Sequence, residues 1–394
     1  MKVTELTLKE IAGIKFANIN FDNSMNIICG PNGIGKTTII NSLSYCFLNG
    51  YAYSKVRRRI ISENDGSIKI KLDELGSLYE DTLNISSCKP NEKVSSGVKW
   101  DSKKFISIGV ERMFEYTNLT KIERDSVNQE AYLAEHIANG IPLRDMKNWF
   151  ANRSLFSGTE GALGPSSKKN LGLAKQVFSI LDECYSYSRT DAKTFDIFVN
   201  TANGEIWYEY LSSGFKSCLT LIWGIIKEIE WRFQEQDYLV REFDGIIVID
   251  ELELHLHPEW QTKIYFALQE IFPNVQFIIT THSPHIVQSA KGNQIIALAA
   301  DNEGITYVRE LPNIQYGYQG WTLDEVLQDV MGMRSTYSDY LDKRLDTFYK
   351  AIDEEDLNQA KVDFKILNQI LHPNNPLRKM INIDFKSIGG DIND

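Results

Sequence analysis

Eight residues near the start of the chain, Gly30-Pro31-Asn32-Gly33-Ile34-Gly35-Lys36-Thr37, constrain its architecture more than any other segment. They fit the pattern GxxxxGK(S/T) and stand in the setting that pattern requires. An apolar run, Met25 to Cys29, precedes them and reads as a buried strand. Thr37 to Phe47 follows with Ile39, Ile40, Leu43 and Phe47 at helical spacing. Glycines let successive N–H groups converge on phosphate oxygens, and the helix N-terminus adds partial positive charge. In such a loop Lys36 is placed to reach β- and γ-phosphates, and the Thr37 hydroxyl to hold Mg²⁺.

The flanking sequence supports an α/β fold. Residues 3–8 and 14–21 alternate like two strands of an N-terminal antiparallel sheet, and 67–72 (SIKIKL) and 105–110 (FISIGV) read as further strands. Residues 157–172, rich in Gly and Ser, read as a mobile loop. IWYEYL (206–211) reads as a strand, Ser212–Arg232 as a helix, GIIVID (245–250) as a buried strand, Pro258–Phe272 as a helix and VQFIITT (275–281) as another buried strand. Continuous apolar strands alternating with helices mark a parallel sheet covered on both faces. From about residue 320 the chain turns polar and helical. The expected organisation is a head over 1–315, interrupted by a compact insertion at about 75–200, and a small helical domain over 316–394. No heptad run is long enough for a coiled-coil arm.

Three further segments carry chemistry. The strand at 245–250 delivers Asp250 and then Glu251 to its C-terminal edge, where ligands sit in open α/β sheets. Asp250 is suited to hold Mg²⁺ through water, and Glu251 to act as general base on an attacking water. FIITTHSP (277–284) brings His282 to a strand end, where it can donate to a γ-phosphate as charge builds. His255 and His257, spaced i, i+2, do not form the helical HExxH pair and lack a further ligand nearby, so a turn is the better reading than a metal site. Leu211-Ser212-Ser213-Gly214-Phe215 opens a long helix with a good N-cap in Ser212, and such a helix start is also an anion site.

Together these motifs resemble the ABC ATPase superfamily, whose signature is LSGGQ, or LSSGE in SMC- and RecF-like heads. The resemblance implies a P-loop NTPase head of the ABC type that binds and hydrolyses ATP with Mg²⁺. Gly30, Asn32, Gly33, Gly35, Lys36, Thr37 and Thr38 would bind nucleotide, Thr37 and Asp250 would hold Mg²⁺, and Glu251 and His282 would be catalytic. Ser212, Ser213 and Gly214 would complete the site of a second copy, so that two ATP molecules join a head-to-head dimer. Phe215 stands where the family carries Gln or Glu. The family's Gln-containing loop, expected a few tens of residues after the first helix, is missing between 50 and 75; the turn at 62–66 sits near its place.

DELELHLHP followed by TTHSPHIV is similar to the OLD-type and Septu-type ATPases of bacterial anti-phage defence. OLD proteins fuse a Toprim nuclease to the ATPase; the stretch after Ala290 looks largely helical and lacks its acidic strand ends, so no nuclease centre is expected. YGYQGWTLDEVLQDVMGM (316–333) is similar to the C-terminal region of Septu and retron-associated ATPases. That resemblance implies a separate HNH nuclease as partner, with ATP switching its restraint or release. A RecF/SMC-like DNA-repair ATPase acting as an ATP-gated clamp is the alternative, ahead of a nucleotide sensor with little turnover and of a transporter subunit. The formal net charge of −11 argues against a general DNA coat, leaving the basic turn Lys55–Arg59 and the pair Lys168, Lys169 as candidates for local DNA contact. An odd set of five cysteines without a CxxC pair fits a reducing compartment. With no apolar leader and no long apolar run, a cytoplasmic protein with no membrane association is expected.

Overall fold

The computed structural model describes residues 1–53, 55–89, 93–96, 100–112, 119, 121–122, 130–303, 305–312 and 314–391. The chain divides into two compact units, Met1–Gly332 and Met333–Asp394.

The first unit opens with strands β1 (Lys2–Ile11), β2 (Ile14–Asn20) and β3 (Met25–Cys29), then helix α1 (Lys36–Cys46). Next come β4 (Gly50–Tyr53), β5 (Gly66–Glu74), β6 (Ser77–Ile85), β7 (Lys93–Ser96) and β8 (Phe105–Ile108), followed by α2 (Glu130–Asn139), α3 (Met146–Phe156) and α4 (Pro165–Leu181). A three-stranded meander, β9 (Ser186–Thr190), β10 (Ile197–Thr201) and β11 (Gly204–Trp207), leads into the long helix α5 (Ser213–Arg232). Then come β12 (Ile246–Ile249), α6 (Pro258–Ile271), β13 (Gln276–Thr280), α7 (Pro284–Ser289), β14 (Ile295–Ala300), β15 (Thr306–Val308) and the single turn α8 (Leu323–Glu325), which runs into a π-helical stretch to Val330.

The central sheet has the order β15-β14-β3-β13-β12-β8. All its neighbours are parallel except the pair β14–β15. β3, β12 and β13 are buried on both faces, as their largely apolar sequences require, with the buried Asn26 and Gln276 side chains hydrogen-bonded to backbone carbonyls. Alternate residues point to opposite layers. Ile27, Ile247, Ile249, Phe277 and Ile279 pack with α4, α5 and α6, whereas Ile28, Ile246, Val248 and Ile278 pack with α1 and the inner face of the antiparallel sheet β2-β1-β5-β6. The edge strand β8 is anchored by Arg232 of α5, which donates to the carbonyls of Ser102 (3.1 Å) and Phe105 and pairs with the buried Glu228 at 2.7 Å.

Three local readings of the sequence need correction. The Gly/Ser-rich stretch at 157–172 is not a loop throughout: Pro165 starts α4, and Asp237, distant in sequence, accepts from the Ser166 N–H at 3.1 Å. The strand read over 206–211 stops at Trp207, and Tyr208–Tyr210 form a 3₁₀ turn that sets up the N-cap of α5. WTLDEVLQDVMG is not one α-helix; after α8 its backbone widens to π geometry. Residues 316–332 belong to the first unit.

The second unit contains α9 (Asp339–Asp353), α10 (Leu357–Ile370) and α11 (Pro376–Ser387). Leu341, Leu345, Phe348, Phe364, Leu367, Ile381 and Phe385 form its core, with Phe364 stacked on Phe385 at 4.3 Å. Asp363, fully buried, is neutralised by Arg344 at 2.9 Å. The acidic tail at 389–394 lies partly outside the described residues, at 392–394. No helix among the described residues is long and apolar enough to cross a membrane.

Candidate nucleotide site

Three parallel strands end side by side. β13 lies between β3 and β12, with Ile28 paired to Thr280 and Ile249 paired to Ile279. The phosphate loop, the Asp250–Glu251 pair and the Thr281–His282 pair therefore leave the sheet at one level and on one edge.

The loop is shaped by its glycines and its lysine. Gly30 has φ +142°, and a Cβ there would stand 2.6 Å from the Leu298 carbonyl oxygen of β14, so no larger residue fits. Gly33 and Gly35 also have positive φ. Lys36, 6% exposed, donates through its ammonium to the carbonyls of Gly30 (2.8 Å) and Pro31 (3.0 Å). Burial holds its pKa below the usual lysine value, against the opposing pull of Glu253, Glu251 and Asp250. Asn32, Gly33 and Thr37 are exposed, and Thr38 is half-buried.

A hydrogen-bond relay joins the strand ends. Asp250, 4% exposed, accepts at Oδ1 from the Thr37 hydroxyl at 3.3 Å and from the Thr280 hydroxyl at 2.5 Å. Thr280 Oγ1 in turn accepts from the Glu251 N–H at 2.8 Å. Glu251 is half-buried and its backbone is left-handed, φ +51°, a conformation costing a non-glycine residue about 1–3 kcal/mol. Thr37 Oγ1 and the Asp250 carboxylate are hard oxygen donors of the kind Mg²⁺ takes when phosphates and waters fill its other positions. Among the described residues no group of three or more His, Cys, Asp or Glu side chains is arranged to hold a metal alone. His255 and His257 are exposed on the turn before α6.

Two residues of this cluster were not anticipated from sequence. Glu253 accepts from the Thr281 hydroxyl at 2.7 Å and from the His282 N–H at 2.5 Å, tying the turn after β12 to the turn after β13. The His282 ring itself is exposed. Arg112 is the second. It is buried, and burial pulls its pKa down to about 10, with Glu253, Asp250 and Glu251 pulling the other way. It lies on the loop leaving β8, the neighbour of β12. The segment that follows β8, Gly109–Arg112, thus flanks the carboxylate strand and contains Glu111 and Arg112.

Ser212, Ser213 and Gly214 are held by other partners. The Ser212 hydroxyl accepts from the Phe215 N–H at 3.2 Å, the Ser213 carbonyl accepts from Ser217 Oγ at 2.9 Å, and Lys216 Nζ donates to the Glu209 carbonyl at 2.9 Å. Ser212 and Ser213 are exposed, leaving this helix start open to a ligand. Phe215 is 1% exposed and packs against Tyr185, Trp260 and Phe178, which explains a large apolar residue where a polar one was expected. Trp260 also lies over Gly214, where a Cβ would meet its indole Cδ1 at 2.4 Å. Gly214→Ala is therefore expected to overpack this contact and cost about 1–3 kcal/mol, read as a lower midpoint of thermal unfolding; an unchanged midpoint would show that Trp260 moves freely. In the basic turn, Arg58 is engaged with the Ser86 and Ser62 carbonyls, so its exposed charge comes from Lys55 and Arg57.

Comparison with known proteins places this geometry in context. Residues 60–288 match the family model described as "AAA domain, putative AbiEii toxin, Type IV TA system". The Septu protein PtuA of Bacillus thuringiensis is 42% identical over 395 residues, covering 98% of this chain and 98% of that protein. The Retron Vc95 probable ATPase of Vibrio cholerae serotype O1 biovar El Tor is 36% identical over 369 residues, covering 71% of this chain and 70% of its own length. Among solved structures, the SMC head domain from Thermotoga maritima aligns with a TM-score of 0.45 at 14% identity, covering 79% of this chain and 99% of that one.

Proposed function

The chain belongs to the Septu PtuA family and carries an AAA-type ATPase domain, and from that premise we propose that it is a bacterial anti-phage defence ATPase whose heads close as a dimer around ATP and Mg²⁺ to control a partner HNH nuclease. The observation that carries this reading is the Thr37–Asp250–Thr280–Glu251 relay at adjacent strand ends, combined with a helix start at which Ser212 and Ser213 are exposed and held by separate contacts.

In this reading Lys36 exchanges its carbonyl partners for the β- and γ-phosphates. Thr37 and Asp250 would hold Mg²⁺, which would neutralise phosphate charge. Glu251 takes a proton from water as the water oxygen bonds to the γ-phosphorus and the bond to the β-phosphate oxygen breaks, giving ADP and phosphate. His282 donates to the γ-phosphate as its charge grows. Ser212, Ser213 and Gly214 of a second copy cover the same phosphate. Such bridging makes ATP bind the closed dimer more tightly than the open chain, which any ligand-driven switch requires.

The Glu251→Gln variant tests the dimer. Its mass by light scattering is expected to double when ATP and Mg²⁺ are added; the same mass with and without ATP would eliminate the switch. Identifying the adjacent reading frame and co-expressing its product tests the partner: an HNH nuclease is expected there, with DNA cleavage by the pair changing with ATP state. DNA-stimulated ATP hydrolysis with no nuclease bound would favour the DNA-clamp alternative.

A further inference from the structure

Arg112 lies in the segment that leaves β8 beside the carboxylate strand, and it is 4% exposed. Its guanidinium donates through Nε to the Gly109 carbonyl at 3.1 Å, through Nη2 to the Asp250 carbonyl, and through Nη1 to the Leu252 carbonyl at 3.4 Å. The last two carbonyls belong to the residues on either side of Glu251. Between these two carbonyls the backbone turns at Glu251, which lies in the left-handed region. Glycine would adopt this backbone more readily but carries no carboxylate. The Glu251 N–H is fixed independently by Thr280 Oγ1 at 2.8 Å.

We propose that Arg112 is a positioning residue for ATP hydrolysis: its forked hold on the Asp250 and Leu252 carbonyls fixes the turn at Glu251 and so the direction in which the Glu251 carboxylate leaves the backbone. The inference rests on the reading of Glu251 as general base. Stability alone does not call for an arginine here, since a buried cation is costly to desolvate and apolar packing often does as well. The fork is what matters. A lysine ammonium in the same place is a point charge without the rigid planar fork that engages two carbonyls at once.

Arg112→Lys, which keeps the buried charge, and Arg112→Gln, which removes it, are tested as full-length protein with Mg²⁺. ATP affinity is read with a fluorescent ATP analogue and hydrolysis by single-turnover phosphate release. Hydrolysis is expected to slow about 10- to 100-fold, the scale of a small misplacement of a reacting group, while affinity stays within about threefold of the parent, as expected for a group that acts only on the chemical step. In a Glu251→Gln background Arg112→Lys should slow hydrolysis no further, because the two residues act as one unit. Parent-like rates in a folded Arg112→Lys protein, affinity falling in step with rate, or undiminished slowing in the Glu251→Gln background would each overturn the proposal. A Glu251→Gln protein that hydrolyses ATP at the parent rate would instead remove the reading of Glu251 on which it rests. Should Arg112→Gln fail to unfold cooperatively, Arg112→Lys alone decides.

Discussion

Lys36→Ala is expected to bind ATP about thirty- to several-thousand-fold more weakly than the parent in nucleotide titrations with Mg²⁺. Removing one partner of a buried, hydrogen-bonded charge pair costs about 2–5 kcal/mol, and each 1.4 kcal/mol is tenfold in affinity. The lysine is well placed for so large an effect. It is buried in the loop, and its ammonium donates to backbone carbonyls at 2.8 and 3.0 Å, partners that phosphate oxygens can replace. Arginine is not expected to restore binding, because its planar fork does not match a point-charge site. The fold should survive the change. Burial already disfavours the Lys36 charge, so the unliganded protein loses little when the charge is removed. A Lys36→Ala protein that folds and binds ATP like the parent would contradict the phosphate-loop assignment itself.

Glu251→Gln is expected to leave ATP binding intact and slow hydrolysis by about 10²- to 10⁴-fold, the contribution typical of a positioned general base. The amide fits the same space, and the backbone bond from Glu251 N–H to Thr280 Oγ1 does not involve the side chain. Asp250→Asn should behave differently. Asp250 Oδ1 collects both threonine hydroxyls, and weakening that oxygen should raise the Mg²⁺ concentration needed for activity. If both substitutions gave the same Mg²⁺ dependence and the same rate, the separate roles assigned to these adjacent acids would not hold.

The parts of the site built from local pattern were readable in the sequence. β3, β12 and β13 are short and largely apolar, so their burial, and the polar residues that follow them, could be read directly. The parts that depend on which strands become neighbours were not. Nothing local to GVER at 109–112 shows that β8 will lie beside β12, and an arginine in a polar loop reads as a solvated charge until its three carbonyl partners are known. Glu253 was hidden in the same way, since its partners Thr281 and His282 follow a different strand. The start of α4 was obscured because the Ser166 N–H in its first turn is satisfied by Asp237, a residue on the far side of α5 in sequence. Phe215 shows a conflict between levels: at a position expected to be polar, packing against Tyr185 and Trp260 decided the residue.

The strand order has a consequence for how a ribosome delivers this protein. β3 is made early, yet its neighbours in the sheet are β13 and β14, with Met25 paired to Phe277 and Ile27 to Ile295. At bacterial synthesis rates of about 5–20 residues per second, the emerging Met25–Cys29 segment stays without either partner for on the order of ten to fifty seconds. Throughout that interval an uncharged, strand-forming stretch is open to pairing with the wrong chain. A newly made copy should therefore depend on chaperone holding until its last sheet strands emerge, and slowing translation between β12 and β13 should increase aggregation more than slowing it after Gly332.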